Sequence, residues 1–404
     1  MGTTSVKRRN AGPAVRFAAF SEVVGRQSVR LSAGVLAAKE SVMKSATVPP
    51  PKLVRLVERT RHYLLRVHQR TVPPYVAMTE MIMNAWTAQA ITAAVDLGIA
   101  DALADGPLRV EELASRVNAD PDALRRLLRA LIGRGVFSRR RDGYYELNPL
   151  SHTLRSSAPL SAAGLARMVG SRQHREHWSY LADAIRTGGA VIPAVNGTDA
   201  FDYLSREPEL AEAFNRAMAE TTEMAVASLM AAYSFEPYPT VADVGGGVGQ
   251  LLAAILAATP TARGILYDLP HAVIEAQPLL RRHGIADRVR VVEGSFFDSV
   301  PAGADIYVLK NVIHDWPDDD ATRILGNVRK AAAPGKNVLL VETVLPGHNR
   351  EFAGNWLDLE MLVSLDARER TAAEYGELLR RAGFEMTRVV ETASPLSVVE
   401  AVAI

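Results

Sequence analysis

The spacing of apolar and polar positions divides the chain into a helical first half and an alternating second half. Residues 52–70, KLVRLVERTRHYLLRVHQR, set Leu53, Leu56, Val57, Leu64 and Val67 roughly on one face among arginines, which predicts an amphipathic helix. After the break at Val72-Pro73-Pro74, residues 76–104 predict one or two helices rich in Met and Ala, with Trp86 and Ile91 at apolar positions. Residues 108–148 predict helix, turn, helix and hairpin. Asp120 before Pro121 is an N-cap with proline at the first helical position, and Asp142-Gly143 suits a hairpin tip. This order is that of a winged helix-turn-helix. Residues 151–240 are mostly helical and end in a long helix.

From residue 241 strands and helices alternate, the pattern of a parallel sheet covered on both faces. The strand VADV (241–244) is followed by strands at 264–269, 289–294, 305–312 and 337–344. A helix near 371–381 then precedes closing strands at 384–391 and 396–403. The expected fold class is α/β: a Rossmann-like domain over 176–404, a winged-helix domain over 71–175, and a basic, partly disordered extension over 1–70.

Charge sharpens this division. The formal net charge is +1, yet residues 1–70 carry 14 Lys and Arg against three acids, and the rest of the chain is acidic by balance. The extension lacks the apolar core of a secretory signal. Its 52–70 helix could meet an anionic membrane surface as a peripheral contact, or lie on its own protein or a dimer mate. In the winged-helix stretch, Arg125, Arg126, Arg129 and Arg139 to Arg141 raise a DNA-binding reading, but acids offset most of the charge a DNA reader needs. The absence of cysteine excludes disulfides, thiolate metal sites and cysteine nucleophiles, and fits a reducing cytoplasm. No apolar run of about 18 residues predicts a membrane span.

In open α/β sheets, ligands bind beyond the carboxyl ends of the strands, and the candidate chemistry stands there. Asp243 ends the first strand and is followed by Gly245, Gly246, Gly247 and Gly249, a turn that lets a ligand approach the main chain. Asp268, followed by Leu269, ends the second strand, where a carboxylate can accept the hydroxyls of a ribose. Ser295, Phe296 and Phe297 end the third, where a ring could stack on a purine. Lys310 and His314 end the fourth strand, and Glu342 the fifth. A dinucleotide G-x-G-x-x-G would need glycine at position 250, which is Gln. His174 and His177 have no carboxylate to complete a metal set. Asp318, Asp319 and Asp320 fall at a helix start, where they act as caps complementing the dipole. No metal is expected.

The motifs DVGGGVG, YDLP, EGSFF, LKNVIHDW, VETVLP and ARERT occur in the order and approximate spacing of the S-adenosylmethionine-dependent O-methyltransferases. From roughly residue 75 to the C-terminus the chain resembles the group that contains plant caffeic acid and isoflavone enzymes and bacterial antibiotic-pathway enzymes. The resemblance implies that the winged-helix region dimerises and helps close the partner's pocket. It implies S-adenosylmethionine as cofactor, held by Asp243, the glycine turn, Asp268, Leu269, Ser295, Phe296, Lys310 (mainly through its main chain) and Thr222. It implies His314 as general base, flanked and oriented by Glu342 and Glu369, and an acceptor pocket near Met218 and Met361, with Trp316 and Trp356 as further walls. The family commonly has Asp where this chain has Ser295. The expected reaction is methylation of a hydroxyl on a small, largely apolar phenolic, polyketide or isoprenoid molecule by a homodimer. Asp315 is expected to be a structural neighbour. The competing reading is a non-catalytic regulator that uses the winged helix on DNA. Carboxylate, amine or carbon acceptors would also fit the scaffold, but an acceptor with no titrating proton would not need His314.

Overall fold

The computed structural model describes residues 48–158, 160–347 and 350–404. The basic extension expected over 1–70 therefore lies outside the described residues up to position 47. The chain forms two compact units. One contains the described residues 48–179 together with Glu209–Ala227; the other contains Tyr180–Pro208 and Ser228–Ile404.

The first unit is helical. Helix α1 (Pro51–Arg70) forms where the apolar spacing predicts it, yet none of its residues is buried. Leu56 and Leu64 are each more than half exposed. Helix α2 (Pro74–Asp96) leaves Met78, Met81, Ile82 and Trp86 exposed along its first half and buries Thr92, Ala94 and Val95 toward its end. Gly98 in the left-handed region separates it from the next turn of helix. Helices α3 (Val110–Arg116) and α4 (Pro121–Gly133) pack Leu113, Leu124, Leu128 and Leu131 into one core with Ile99 and Phe137. The predicted cap is present: the Asp120 side chain accepts from the Ala123 amide at 2.8 Å. The hairpin is shorter than expected, two residues per strand, β1 (Ser138–Arg139) against β2 (Tyr145–Glu146). Helix α5 (Pro208–Ala232) belongs to this unit over Glu209–Ala227 and to the second at Pro208 and from Ser228 onward.

The second unit is built on one sheet. Its parallel strands are β3 (Thr240–Val244), β4 (Arg263–Asp268), β5 (Val289–Glu293), β6 (Ile306–Lys310) and β7 (Asn337–Leu345). The short β8 (Arg370–Thr371) pairs with the end of β7. β9 (Phe384–Glu391) and β10 (Leu396–Ala403) close the sheet antiparallel, giving the order β5-β4-β3-β6-β7-β10-β9. Val241 to Val244, Ile306 to Leu309 and Val338 to Val341 are buried, as continuous apolar runs in a two-faced parallel sheet must be. The chain winds outward from β3 through β4 to β5, then returns to place β6 on its other side. The switch point therefore lies at the carboxyl ends of β3 and β6, the position where such sheets hold ligands.

The fourth strand is shorter than its sequence suggests. It stops at Lys310, because Asn311 turns into the left-handed region with φ 52°. His314 therefore sits on a separate 3-10 turn, Ile313–Asp315, rather than at a strand end. The acidic run after it also differs from expectation. Asp318 to Asp320 occupy the first turn of helix α6 (Asp318–Ala331), where their charges suit the dipole, but the cap position is Pro317 and no side chain caps it. Asp318 and Asp319 instead pair with Arg370 and Arg381. Helix α7 (Gly354–Ser364) follows β7, and α8 (Ala372–Arg381) starts at a Thr371/Glu374 capping box.

Candidate active site

The turn after β3 is dictated by crowding. A Cβ on Gly246 would stand 2.6 Å from both Asp243 Cγ and Leu266 Cδ1, closer than real side chains approach. Gly247 is left-handed at φ 56°, and its amide donates to Asp268 Oδ2 at 2.8 Å. The Leu269 amide donates to Asp268 Oδ1 at 2.7 Å. The glycine turn and the carboxylate at the end of β4 are thus one hydrogen-bonded unit. Burial pushes the Asp268 carboxyl up to about 6, against the opposing pull of those two amides. Asp243 is buried beneath the turn and its Oδ2 has no hydrogen-bond partner. Desolvation drives its carboxyl up to about 7, offset in part by the positive charge of Lys310. Burial lowers the Lys310 ammonium in turn, against the fields of Asp243, Glu342 and Asp315. The side chain of Lys310 is thus a counter-charge to the buried carboxylates, separate from the cofactor contact expected mainly of its main chain.

Phe296 and Phe297 are both buried, and Phe296 lies beside Gly245. Asn327 on α6, a residue the sequence did not single out, donates to the carbonyls of both phenylalanines at 2.9 Å. Ser295 Oγ accepts from the Phe297 amide at 3.2 Å, so the hydroxyl shapes its own loop. Trp316, expected as a pocket wall, is a core side chain packed edge-on against Phe297 at 4.7 Å between centroids.

Around His314 the structure assembles three carboxylates. Glu369 Oε1 lies 3.0 Å from Nδ1, and Asp315 Oδ1 lies 3.3 Å from Nε2. Glu342 is fully buried and acts on the ring through its field and through the backbone of the turn, with no direct hydrogen bond to it. Its Oε1 accepts from the amides of Val312 (3.0 Å) and Ile313 (2.8 Å), so it holds the turn that carries the histidine. Burial pulls the imidazolium down, but the fields of Asp315, Glu342 and Glu369 outweigh it and raise the group to about 10. Burial pushes Glu342 up to about 7 and also raises Asp315. With Glu369 accepting from Nδ1–H, a neutral imidazole would turn a bare Nε2 lone pair toward the Asp315 oxygen. A proton between Nε2 and Asp315 relieves that repulsion, and the charged ring opposes the rise that burial gives the Asp315 carboxyl. Asp315, expected only as a neighbour, is therefore a partner of the ring.

The remaining expected pocket residues lie on two helices, α5 and α7. Met361 is half-buried on α7, while Trp356 on the same helix is 60% exposed. Met218 and Thr222 stand one turn apart on α5, in the stretch that belongs to the helical unit. Among the described residues, no group of three His, Asp or Glu side chains is arranged to hold a metal.

Comparisons with known proteins identify the family. Residues 178–385 match the O-methyltransferase domain family, and residues 79–157 match the O-methyltransferase dimerisation domain. The chain is 42% identical over 330 residues to the phenazine O-methyltransferase PhzM of Lysobacter antibioticus, covering 82% of this chain and 96% of that protein. It is 34% identical to the 8-amino-8-demethylriboflavin N,N-dimethyltransferase of Streptomyces davaonensis, covering 76% of this chain and 89% of that protein. The crystal structure of NcsB1, an O-methyltransferase of neocarzinostatin biosynthesis in complex with S-adenosylmethionine and 2-hydroxy-5-methyl naphthoic acid, superposes with a TM-score of 0.67 at 35% identity, covering 79% of this chain and 96% of that one. Segment 108–148 falls within the dimerisation match, and nothing supports a DNA-binding role for it. The chain belongs to the S-adenosylmethionine-dependent O-methyltransferase family.

Proposed function

We propose that the protein methylates a phenolic hydroxyl of a small aromatic metabolite, with His314 as the general base. The observation that carries this reading is the 3.0 Å contact between His314 Nδ1 and Glu369 Oε1, on a turn fixed by Glu342 beside the glycine loop. The residues around that loop fit S-adenosylmethionine. A buried, unpartnered carboxylate oxygen on Asp243 suits the cofactor's ammonium group, and the spare lone pairs of Asp268 suit a ribose. When bound, S-adenosylmethionine supplies an electrophilic methyl group on sulfonium.

The chain's own residues supply position and a proton site. Holding acceptor and donor in line contributes up to ~7–11 kcal/mol, whereas a general base contributes ~10²–10⁴-fold, roughly 3–5 kcal/mol. Positioning is therefore the larger effect, and the base selects which acceptors react. Glu369 fixes the tautomer by accepting from Nδ1–H, leaving Nε2 to face the acceptor oxygen once that oxygen takes the place of Asp315. A phenol near pKa ~10 gives up its proton at little cost to an imidazole whose conjugate acid is raised to about 10. The family includes a relative named as an N,N-dimethyltransferase, so membership alone does not set the acceptor atom. The ring with its paired carboxylates favours oxygen, because a hydroxyl must lose a proton as its bond to carbon forms.

A homodimer formed through the dimerisation domain completes the proposal, with the exposed apolar residues of α2 as its contact. Among the described residues no helix is long and apolar enough to cross a membrane. We propose a cytoplasmic location, with which a chain free of cysteine is compatible. Incubation with labelled S-adenosylmethionine and a panel of hydroxylated aromatics tests the function. Label transfer to phenols but not to their methyl ethers is expected. Transfer to anilines alone would replace the hydroxyl reading with an amine one.

A further inference from the structure

Among the described residues Arg370 is the largest fully buried side chain, at 1% exposure. Burying a guanidinium is costly unless every donor finds an acceptor. Here the acceptors lie in one place. Nη1 donates to the Ile313 carbonyl at 3.0 Å and Nη2 to the Trp316 carbonyl at 2.8 Å, while Nε and Nη2 reach Asp318 Oδ1 at 3.1 and 2.8 Å. These partners bracket His314 on both sides. Arg370 also has chain neighbours that grip the same turn: the Arg368 amide donates to the His314 carbonyl at 3.2 Å, and Glu369 holds the ring. Residues 368–370 thus form a three-point clip on residues 313–316. The clip is anchored from its other side by Asp358 on α7, whose Oδ1 accepts from the Glu369 amide at 2.9 Å.

We propose that Arg370 is a positioning residue that sets the direction of the His314 ring by fixing the carbonyls on either side of it. The inference rests on His314 acting as the base. The physical reason for arginine is its planar fork. Three separate acceptors are met in one plane by a group that cannot lose its charge, which a lysine ammonium on a flexible stem cannot reproduce. Lys at 370 would keep the charge and lose the simultaneous hold on Ile313, Trp316 and Asp318. The turn would then loosen, and the ring would drift from Glu369.

The test uses the full-length protein and Arg370→Lys. Histidine-selective nitrogen NMR, with the His314 signal identified by its loss in His314→Ala, follows the ring through a pH titration. The His314 midpoint is expected to fall by at least one pH unit in Arg370→Lys, while binding of S-adenosylhomocysteine stays within threefold by calorimetry. A purely structural role would lower the melting temperature and leave the midpoint in place, and an unmoved midpoint in the folded variant overturns the proposal. If Arg370→Lys does not fold, Asp318→Asn decides. Asp318 is half exposed, so its loss is tolerated, and amide exchange at His314 and Asp315 is expected to quicken at least tenfold. Parent-like protection there overturns the proposal as well. Retained methyl transfer by His314→Ala would remove the base reading separately, since neither loop measurement depends on turnover.

Discussion

Glu369 faces His314 Nδ1 at 3.0 Å from a side chain that is itself only 1% exposed, and its second oxygen has no hydrogen-bond partner. A carboxylate so placed is worth its desolvation only while the ring carries a proton on Nδ1. The pair therefore fixes the tautomer as well as the direction of the imidazole. Glu369→Gln keeps the shape and removes the charge. Methyl transfer to a phenol is expected to fall by about 10–10³-fold, with the affinity for S-adenosylhomocysteine unchanged by calorimetry. Equal loss of transfer and of cofactor affinity would place Glu369 in the cofactor site instead.

His314→Ala is expected to bind S-adenosylhomocysteine like the parent and to lose phenol methylation by ~10²–10⁴-fold. Full activity in this variant would leave positioning alone to account for catalysis.

The ring needs a free Nε2 to accept a proton, and its acid form is raised to about 10. At neutral pH most of the resting protein is thus protonated there, and kcat/KM should climb as pH rises through the range from 7 toward 10. Glu342 is one of the charges that raise the ring, so Glu342→Gln should shift the rising limb to lower pH. A limb that moves upward, or not at all, in a pH–rate profile would contradict this electrostatic account.

Ser295 stands where the family commonly has Asp. We propose that this position reaches the adenine amino group of the cofactor: Ser295→Asp can still accept from the Phe297 amide and would add a charge-assisted acceptor there. A gain of about 1 kcal/mol, roughly fivefold in affinity for S-adenosylhomocysteine, is expected by calorimetry. Unchanged or weaker binding would show that this position does not meet the adenine.

Gly246→Ala would drive a methyl group against Asp243 and Leu266. Overpacking of this kind costs about 1–3 kcal/mol, and the turn that presents the Gly247 amide would shift with it. Chemical denaturation should show the loss, accompanied by weaker cofactor binding. A variant as stable as the parent would mean that the turn relaxes without strain.

Much of the site could be read from the sequence because its parts are local. Asp243, the four glycines and Asp268 come from two neighbouring strands and their turns, where residue type and spacing report the backbone directly. The amphipathic helix 51–70 and the Asp120 cap are legible for the same reason. Glu369 could be placed only through the resemblance, since 55 residues separate it from His314. The sequence marks Asp315 as a structural neighbour of His314 but does not show its contact with Nε2, because adjacency in sequence does not tell which way a side chain turns. Arg370 stands inside the ARERT motif but without a role of its own, and Asn327 gave no signal: a buried arginine and an ordinary surface arginine look alike in a string of letters.

The sequence by itself determined the order of strands and helices, the place of the glycine turn and the family, because hydrophobic period and backbone-permissive residues act within a few positions of themselves. Only the tertiary structure decided that the fourth strand ends at Lys310, that Glu342 binds amides rather than the ring, and that Asp315 and Glu369 share the imidazole. Those outcomes depend on which buried polar atoms meet once separate strands are packed, and burial makes every such atom seek a partner wherever the fold brings one within reach.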